Sequence, residues 1–191
     1  MHDNIKQKEK KTWEQRKLKE VFNERKEKSA EGELLSVTIN SGIVKFNSLD
    51  RKNNSSSNKS NYRVVKVGDI AYNSMRMWQG ASGVSPYNGI VSPAYTVITP
   101  RTNVDTNFMA INFKRISMLQ IFQRNSQGLT SDTWNLKFPA LGEIKVRIPS
   151  FEEQKQLSLV FSRLNSLIAA NEYNHKNALN IRARFYPCIF T

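Results

Sequence analysis

Two segments of the chain concentrate the side chains that could do chemistry. In Tyr72-Asn-Ser-Met-Arg-Met-Trp-Gln79, the amides of Asn73 and Gln79 suit adenine, the Arg76 guanidinium suits guanine, and Trp78 could stack or wedge. In Gln127-Gly-Leu-Thr-Ser-Asp-Thr-Trp-Asn135, the polar Gln127, Thr130, Ser131, Thr133 and Asn135 surround a flexible Gly128 and an aromatic Trp134. Reading a nucleic-acid sequence needs hydrogen-bonding groups at base edges and cations that hold the phosphates in register, and these segments supply the first. Polar loops are also commonly just solvated, and Trp78 or Trp134 fits a core position as well as an exposed one. Both readings stay open on these residues alone.

Catalytic constellations are missing from the pattern. Gly80-Ala-Ser-Gly83 is too short for a phosphate loop, lacks the following lysine, and reads as a turn. Asp50, Asp69, Asp105, Asp132 and Glu143 are scattered and offer no two-metal carboxylate set. Cys188 is the only cysteine, which excludes an internal disulfide, and with only His2 and His175 beside it no structural zinc cluster is expected. Ser92-Pro93-Ala94-Tyr95 resembles the Asn/Asp-Pro-Pro-aromatic motif of amino-methyltransferases, but Ser92 replaces the amide or carboxylate that would bind the target amino group. No glycine fingerprint for a cofactor accompanies it. The expectation is a chain without catalytic residues, metal or cofactor.

The elements that must position these loops follow from composition and period. The 191 residues, 39% hydrophobic and 10% aromatic, suffice for one core plus an appendage. A net charge of +13 favours polyanionic partners, nucleic acid first and acidic membrane second. No apolar run approaches the roughly 18 residues that span a bilayer, and the charged start is unlike a signal peptide, so a cytoplasmic protein is expected. The mixed charges of residues 6–28 suggest a solvated helix, with residues 13–22 docking on a core and residues 1–12 loose. Residues 33–149 carry short β-branched and aromatic runs punctuated by Gly, Pro, Asn and Ser, and read as sheet. Within them residues 47–61 read as a long exposed loop. One amphipathic helix is expected over residues 106–124, with Phe108, Ile111, Ile116, Leu119 and Phe122 on its apolar stripe and Lys114, Arg115 and Arg124 off it.

After Pro149 the pattern changes. Ser150 and Glu153 form a capping-box signature, and Glu152 and Glu153 suit the positive end of a helix dipole. Leu157, Leu164, Asn171 and Ala178 recur at seven residues, as do Val160, Leu167, Asn174 and Ile181, while Phe161 and Ile168 widen the stripe. The spacing predicts a helix with a partner face, a coiled coil in preference to an ordinary surface helix. The fold class is therefore α+β: a mixed, sheet-rich domain over residues 13–149, a long C-terminal coiled-coil helix over residues 150–184, and an atypical tail, residues 185–191.

Four motifs in order bring a family into view: Trp13-Glu-Gln-Arg-Lys-Leu18, Gly68-Asp-Ile-Ala-Tyr-Asn73, Gly89-Ile-Val-Ser-Pro-Ala-Tyr95 and Ile148-Pro-Ser-Phe-Glu-Glu-Gln154. Together they resemble the specificity subunits of type I restriction-modification systems, which open a target recognition domain with W-x(4)-L, carry a GDI turn and exit through P-x(3)-EQ. The resemblance runs from Trp13 to about Ile181. It implies a non-catalytic domain that reads half of a bipartite double-stranded DNA site, and a helical spacer that packs on another such helix. The implied partners are adenine methyltransferase subunits, which bind S-adenosylmethionine, an endonuclease and translocase subunit, and either a second copy of this chain or a second specificity half. The residues expected at base edges are Asn73, Arg76, Trp78, Gln79, Ser131, Trp134 and Asn135. Those expected on phosphates are Arg51, Lys52, Lys59 and Lys137, and the helix interface is expected to use Leu157, Val160, Leu164, Leu167, Ile168 and Asn171. Similar proteins end the helix in a Leu-Lys-rich segment, whereas here Ile181-Arg-Ala-Arg-Phe-Tyr-Pro-Cys-Ile-Phe-Thr191 departs from that pattern and Pro187 interrupts it. The half-length chain fits a half-subunit that dimerises through Leu157 to Ile181 or the detached second half of a longer subunit, towards which the tail leans; the alternative function is a truncated polypeptide that acts by occupying the methyltransferase without reading DNA.

Overall fold

Residues far apart in the sequence pair to frame the domain, and this pairing overrides the helical pattern of the first described segment. The computed structural model describes residues 13–50 and 58–185, with side chains described as far as Lys176. The chain begins with β1 (Glu14–Lys17), α1 (Leu18–Val21), β2 (Phe22–Glu24), β3 (Leu35–Thr38) and β4 (Gly42–Lys45). It continues through β5 (Arg63–Val65), β6 (Ile70–Asn73), β7 (Ser82–Val84), β8 (Gly89–Val91) and β9 (Tyr95–Pro100). Helices α2 (Thr106–Phe113), α3 (Ile116–Asn125) and α4 (Phe138–Glu143) then lead to β10 (Lys145–Ile148) and the long α5 (Phe151–Phe185). The class is α+β, as the texture of the middle segment indicates. The expected loose segment 1–12 and residues 186–191 of the tail lie outside the described residues.

The central sheet is antiparallel in the order β2-β9-β6-β7, and β9, paired on both sides, is its longest strand, with Thr96, Val97 and Ile98 all buried. A hairpin of β3 and β4, a β5–β8 pair and a β1–β10 ribbon complete the β structure. The larger core joins the sheet to the helices through Leu18, Phe22, Tyr72, Phe113 and Phe122. A smaller one lies beneath the hairpin, with Leu35, Val37, Val65, Val91 and Val97. Gly89 belongs to the close packing there, since a Cβ would stand 2.3 Å from the Glu33 carbonyl oxygen.

Two expectations are corrected. Residues 14–17 are a strand, not part of a solvated helix, because they pair residue for residue with β10 from Glu14 opposite Ile148 to Lys17 opposite Lys145. The single helix over residues 106–124 is two. The chain turns at Lys114 and the extended Arg115, which lets Phe113 and Phe122 meet edge to face with centroids 5.4 Å apart in the core. Ile116, expected on the buried stripe, is left 76% exposed at the start of the second helix.

The motifs are structural joints. Trp13 packs edge to face on Phe108 and its indole N–H donates to Glu153 Oε1 at 3.2 Å, so the first motif locks onto the last. This changes the capping box. Ser150 Oγ accepts from the Glu153 N–H at 3.4 Å, but the Glu153 carboxylate turns to Trp13 instead of reaching back to Ser150. The neighbouring Gln154 is buried, accepts from the Asp105 N–H at 3.0 Å and donates to the Pro149 carbonyl at 3.0 Å. In the third joint Gly68 adopts φ +88, and the buried Asp69 takes two hydrogen bonds from Arg25, at 2.7 and 3.0 Å, and one from the Lys66 N–H at 2.8 Å. From this anchored start α5 runs for 35 residues, about 52 Å at 1.5 Å per residue.

Candidate nucleic-acid interface

The two polar segments meet. The Leu136 N–H donates to the Ser74 carbonyl at 2.8 Å, and Trp78 and Trp134 stand edge to face with centroids 5.3 Å apart. Behind that joint Ser74 and Thr96 hydroxyls are 2.8 Å apart, tying the first segment to β9. The first segment is a tight turn after β6: Asn73 Oδ1 accepts from the Met75 N–H at 3.0 Å, residues Met77–Gln79 form a 3-10 turn, and Gly80 closes it at φ +83. The second is a closed loop. Gln127 and Asn135 exchange backbone hydrogen bonds of 3.0 and 2.8 Å, and Gly128 at φ +145 has no room for a Cβ, which would stand 2.6 Å from the Thr133 carbonyl oxygen.

The residues expected at base edges are therefore brought onto one joined pair of loops, in unequal states. Arg76 and Ser131 are exposed, and the Arg76 guanidinium reaches toward Gln79 Oε1 at 3.5 Å. Gln79, Asn73 and Asn135 are half-buried, and Asn135 Oδ1 is buried without a hydrogen-bond partner. Trp78 packs on the main core and its indole N–H donates to the Met75 carbonyl at 3.1 Å, so its polar edge is satisfied within its own turn. Trp134 is half-buried against it.

Among the expected phosphate contacts, Lys137 is exposed immediately after the joint, at the start of α4. Lys59 is half-buried ahead of β5, where its carbonyl accepts from the Tyr62 N–H at 2.8 Å, and among the described residues no hydrogen bond or salt bridge ties it to either loop. Arg51 and Lys52 lie outside the described residues. On α5, Leu157 is half-buried against the core, while Val160, Leu164, Leu167, Ile168 and Asn171 are all exposed. Ala178 and Ile181 fall where side chains are not described.

Sequence reasoning passed over two sets of cations. Lys114 donates to the Ile39 carbonyl at 2.8 Å and to the Gly80 carbonyl, pinning the tip of the β3–β4 hairpin to the end of the Trp78 turn. Burial lowers its pKa below the ordinary lysine value. The other set lies on the β1–β10 ribbon, where Lys17 stands opposite Lys145 and Gln15 opposite Arg147. Glu143 bonds Lys17 and Lys19 at 2.6 Å each, and those hydrogen bonds, Lys17 first, hold its carboxyl down at about 2. Lys145 and Arg147 are exposed and form no salt bridge among the described residues. The alternation of β10 was the available signal: buried Val146 and Ile148 put Lys145 and Arg147 on the outer face together.

Fold and surface define a class first: a sheet-rich α+β module that joins two polar, aromatic-backed loops and continues into a long helix. Residues 10–180 match the family described as the type I restriction modification DNA specificity domain, and the chain belongs to that family. No curated protein matches the sequence. Solved structures share the fold at low identity. One comes from work on complex assembly and conformational transition of the type I R-M system, at TM-score 0.60 and 14% identity over 91% of this chain and 43% of that one. The HsdS subunit from Thermoanaerobacter tengcongensis gives 0.55 and 13%, covering 85% of this chain and 40% of that one. The S subunit of a type I restriction-modification system from M. genitalium gives 0.53 and 17%, covering 92% and 46%. The chain thus spans less than half the length of each. Among the described residues no group of three or more His, Cys, Asp or Glu could hold a metal ion, and no helix is long and apolar enough to cross a membrane.

Proposed function

We propose that this chain reads one half of a bipartite double-stranded DNA site as the specificity component of a cytoplasmic type I restriction-modification assembly, and catalyses nothing itself. The observation that carries the reading is the joint between the two polar loops in a member of this family: base-edge donors and acceptors from distant segments share one surface. In this reading residues 13–149 recognise DNA and residues 150–184 are a spacer whose half-buried Leu157 and exposed Val160, Leu164, Leu167, Ile168 and Asn171 pair with a second copy or a second specificity half as a coiled coil. Arg76, Gln79, Ser131 and Asn135 read base edges, with Asn73, Trp78 and Trp134 shaping the surface. Lys137 and Lys59 hold phosphates, together with Arg51 and Lys52. Adenine methyltransferase subunits carrying S-adenosylmethionine, and an endonuclease and translocase subunit, supply the chemistry.

The test is methylation of a random-sequence duplex library by the cognate methyltransferase in the presence of this chain, with light scattering of the same mixture. A methylated split motif that appears only with this chain supports the reading. A stable complex with the methyltransferase that methylates no motif would replace it with the interaction-only alternative.

A further inference from the structure

Leu129 stands 101% exposed in the second loop, as open to water as in an extended peptide. Single exposed apolar residues are ordinary on protein surfaces, so exposure alone decides nothing. What sets this one apart is the way the loop presents it. Below the tip, the Gln127–Asn135 exchange closes the stem. Across the tip, the Thr133 N–H donates to the Thr130 carbonyl at 2.9 Å and the Thr130 N–H donates to Thr133 Oγ1 at 3.1 Å. Gly128 permits this closure only because it has no Cβ. A loop so closed has little conformational freedom left to lose when it binds, so the leucine is held out in advance.

The surroundings favour a groove of DNA over the phosphate backbone as the place where this tip goes. Thr130, Ser131, Asp132 and Thr133 around Leu129 include no cation, and Asp132 would repel phosphates but can accept from a cytosine amino group. Along the chain the cations fall outside the closed loop: Arg124 precedes the stem, Lys137 follows it and Arg76 belongs to the other loop. Behind the loop the two tryptophans brace each other edge to face, and Trp78 has already placed its indole N–H, so neither ring is the free element. Leucine is one of the apolar side chains that enter and partly unstack a base step.

We propose that Leu129 is a DNA wedge: it inserts between two base pairs of the bound half-site, opens that step and bends the duplex. The proposal rests on the DNA-reading function above and adds a second kind of specificity. A wedge favours steps that unstack easily, pyrimidine–purine steps above all, so the chain discriminates at a position that none of its polar side chains touches.

The experiment uses the full chain assembled with its methyltransferase and the duplex recovered from the random library by the unsubstituted assembly, carrying 2-aminopurine at each position in turn. The wedge gives a several-fold rise in fluorescence at one step on binding. Leu129→Ser and Leu129→Ala abolish the rise and weaken binding about tenfold, whereas Leu129→Met retains it. The weakening shrinks when the duplex carries a mismatch at that step, because the step is already open. Leu129 makes no core contact, so these variants fold. The methylated adenines, which the methyltransferase flips out itself, are set aside; binding without a fluorescence rise at any other position, or such a rise unchanged in Leu129→Ser, overturns the wedge while leaving DNA reading intact. Loss of methyltransferase affinity in Leu129→Ser with the rise unchanged assigns Leu129 to a subunit contact and also overturns it. Failure to recover any duplex removes the DNA reading and the wedge together.

Discussion

Asp69 is a carboxylate out of water with one guanidinium to answer it, and such a residue is costly to strand. Its side chain is 4% exposed and Arg25 bonds it twice, while the Lys66 N–H supplies a third donor. Removing Arg25 leaves the charge buried and uncompensated, so Arg25→Met should destabilise the chain by about 3–5 kcal/mol, measured by urea denaturation. Unchanged stability would mean that water reaches Asp69. Glu143 is the contrasting case, an exposed carboxyl held at about 2 instead of its ordinary 4.5 by Lys17 and Lys19. The sign follows from that depression: its contribution is present above the unfolded pKa and is lost as pH falls through the folded one. Glu143→Gln should therefore lower the urea midpoint at about pH 5 more than at about pH 2, and equal lowering would count against the pairing. Arg76 is exposed, and the proposed DNA reading gives it a test on binding and not on stability. If its guanidinium reads a guanine, Arg76→Ala costs about 1–3 kcal/mol at one base pair in a competition assay, whereas equal loss on all sequences makes it a phosphate contact.

At the scale of elements the long helix carries an exposed stripe of apolar side chains. Val160, Leu164, Leu167 and Ile168 are between 47% and 66% exposed and belong to neither core, so charges placed there remove no core contact among the described residues. Leu164→Glu with Leu167→Glu should leave unfolding stability within about 0.5 kcal/mol and abolish pairing of the helices in sedimentation. Retained pairing would place the interface elsewhere. This helix was legible in the sequence because its signals are local: Pro149, Ser150 and a repeat of seven. So were the cores of β3, β5 and β9, whose β-branched runs are short and continuous. What stayed hidden depended on distant partners. The β1 strand is polar and acquires its conformation from β10, and the helix break at Lys114 serves carbonyls at Ile39 and Gly80. The composition of the two loops marked them as polar, but nothing within either one announced the bond from Leu136 to Ser74 that makes them neighbours.

Over the whole molecule the question is which of the cations that make up a charge of +13 remain free to hold DNA. Several are occupied within the chain. Asp69 and Glu27 take Arg25, Glu24 takes Arg63, and Glu143 takes both Lys17 and Lys19. Lys145 and Arg147 are left over on the outer face of the β1–β10 ribbon, and Lys17 faces Lys145 directly across it, an arrangement of like charges that weakens a strand pair. The six residues of α4, about 9 Å long, separate this ribbon from Lys137 beside the loops. If the loops hold a duplex as proposed, the two free cations of the ribbon give it a second grip on the backbone. Each phosphate neutralised contributes about 0.9 to the slope of log K against log salt. Lys145→Gln with Arg147→Gln should accordingly reduce that slope by about 1.8 and weaken binding evenly on every sequence, while Arg76→Ala alters the preferred sequence. A double variant with the slope of the parent chain would free the ribbon from DNA and leave the phosphates to Lys137 and the loops.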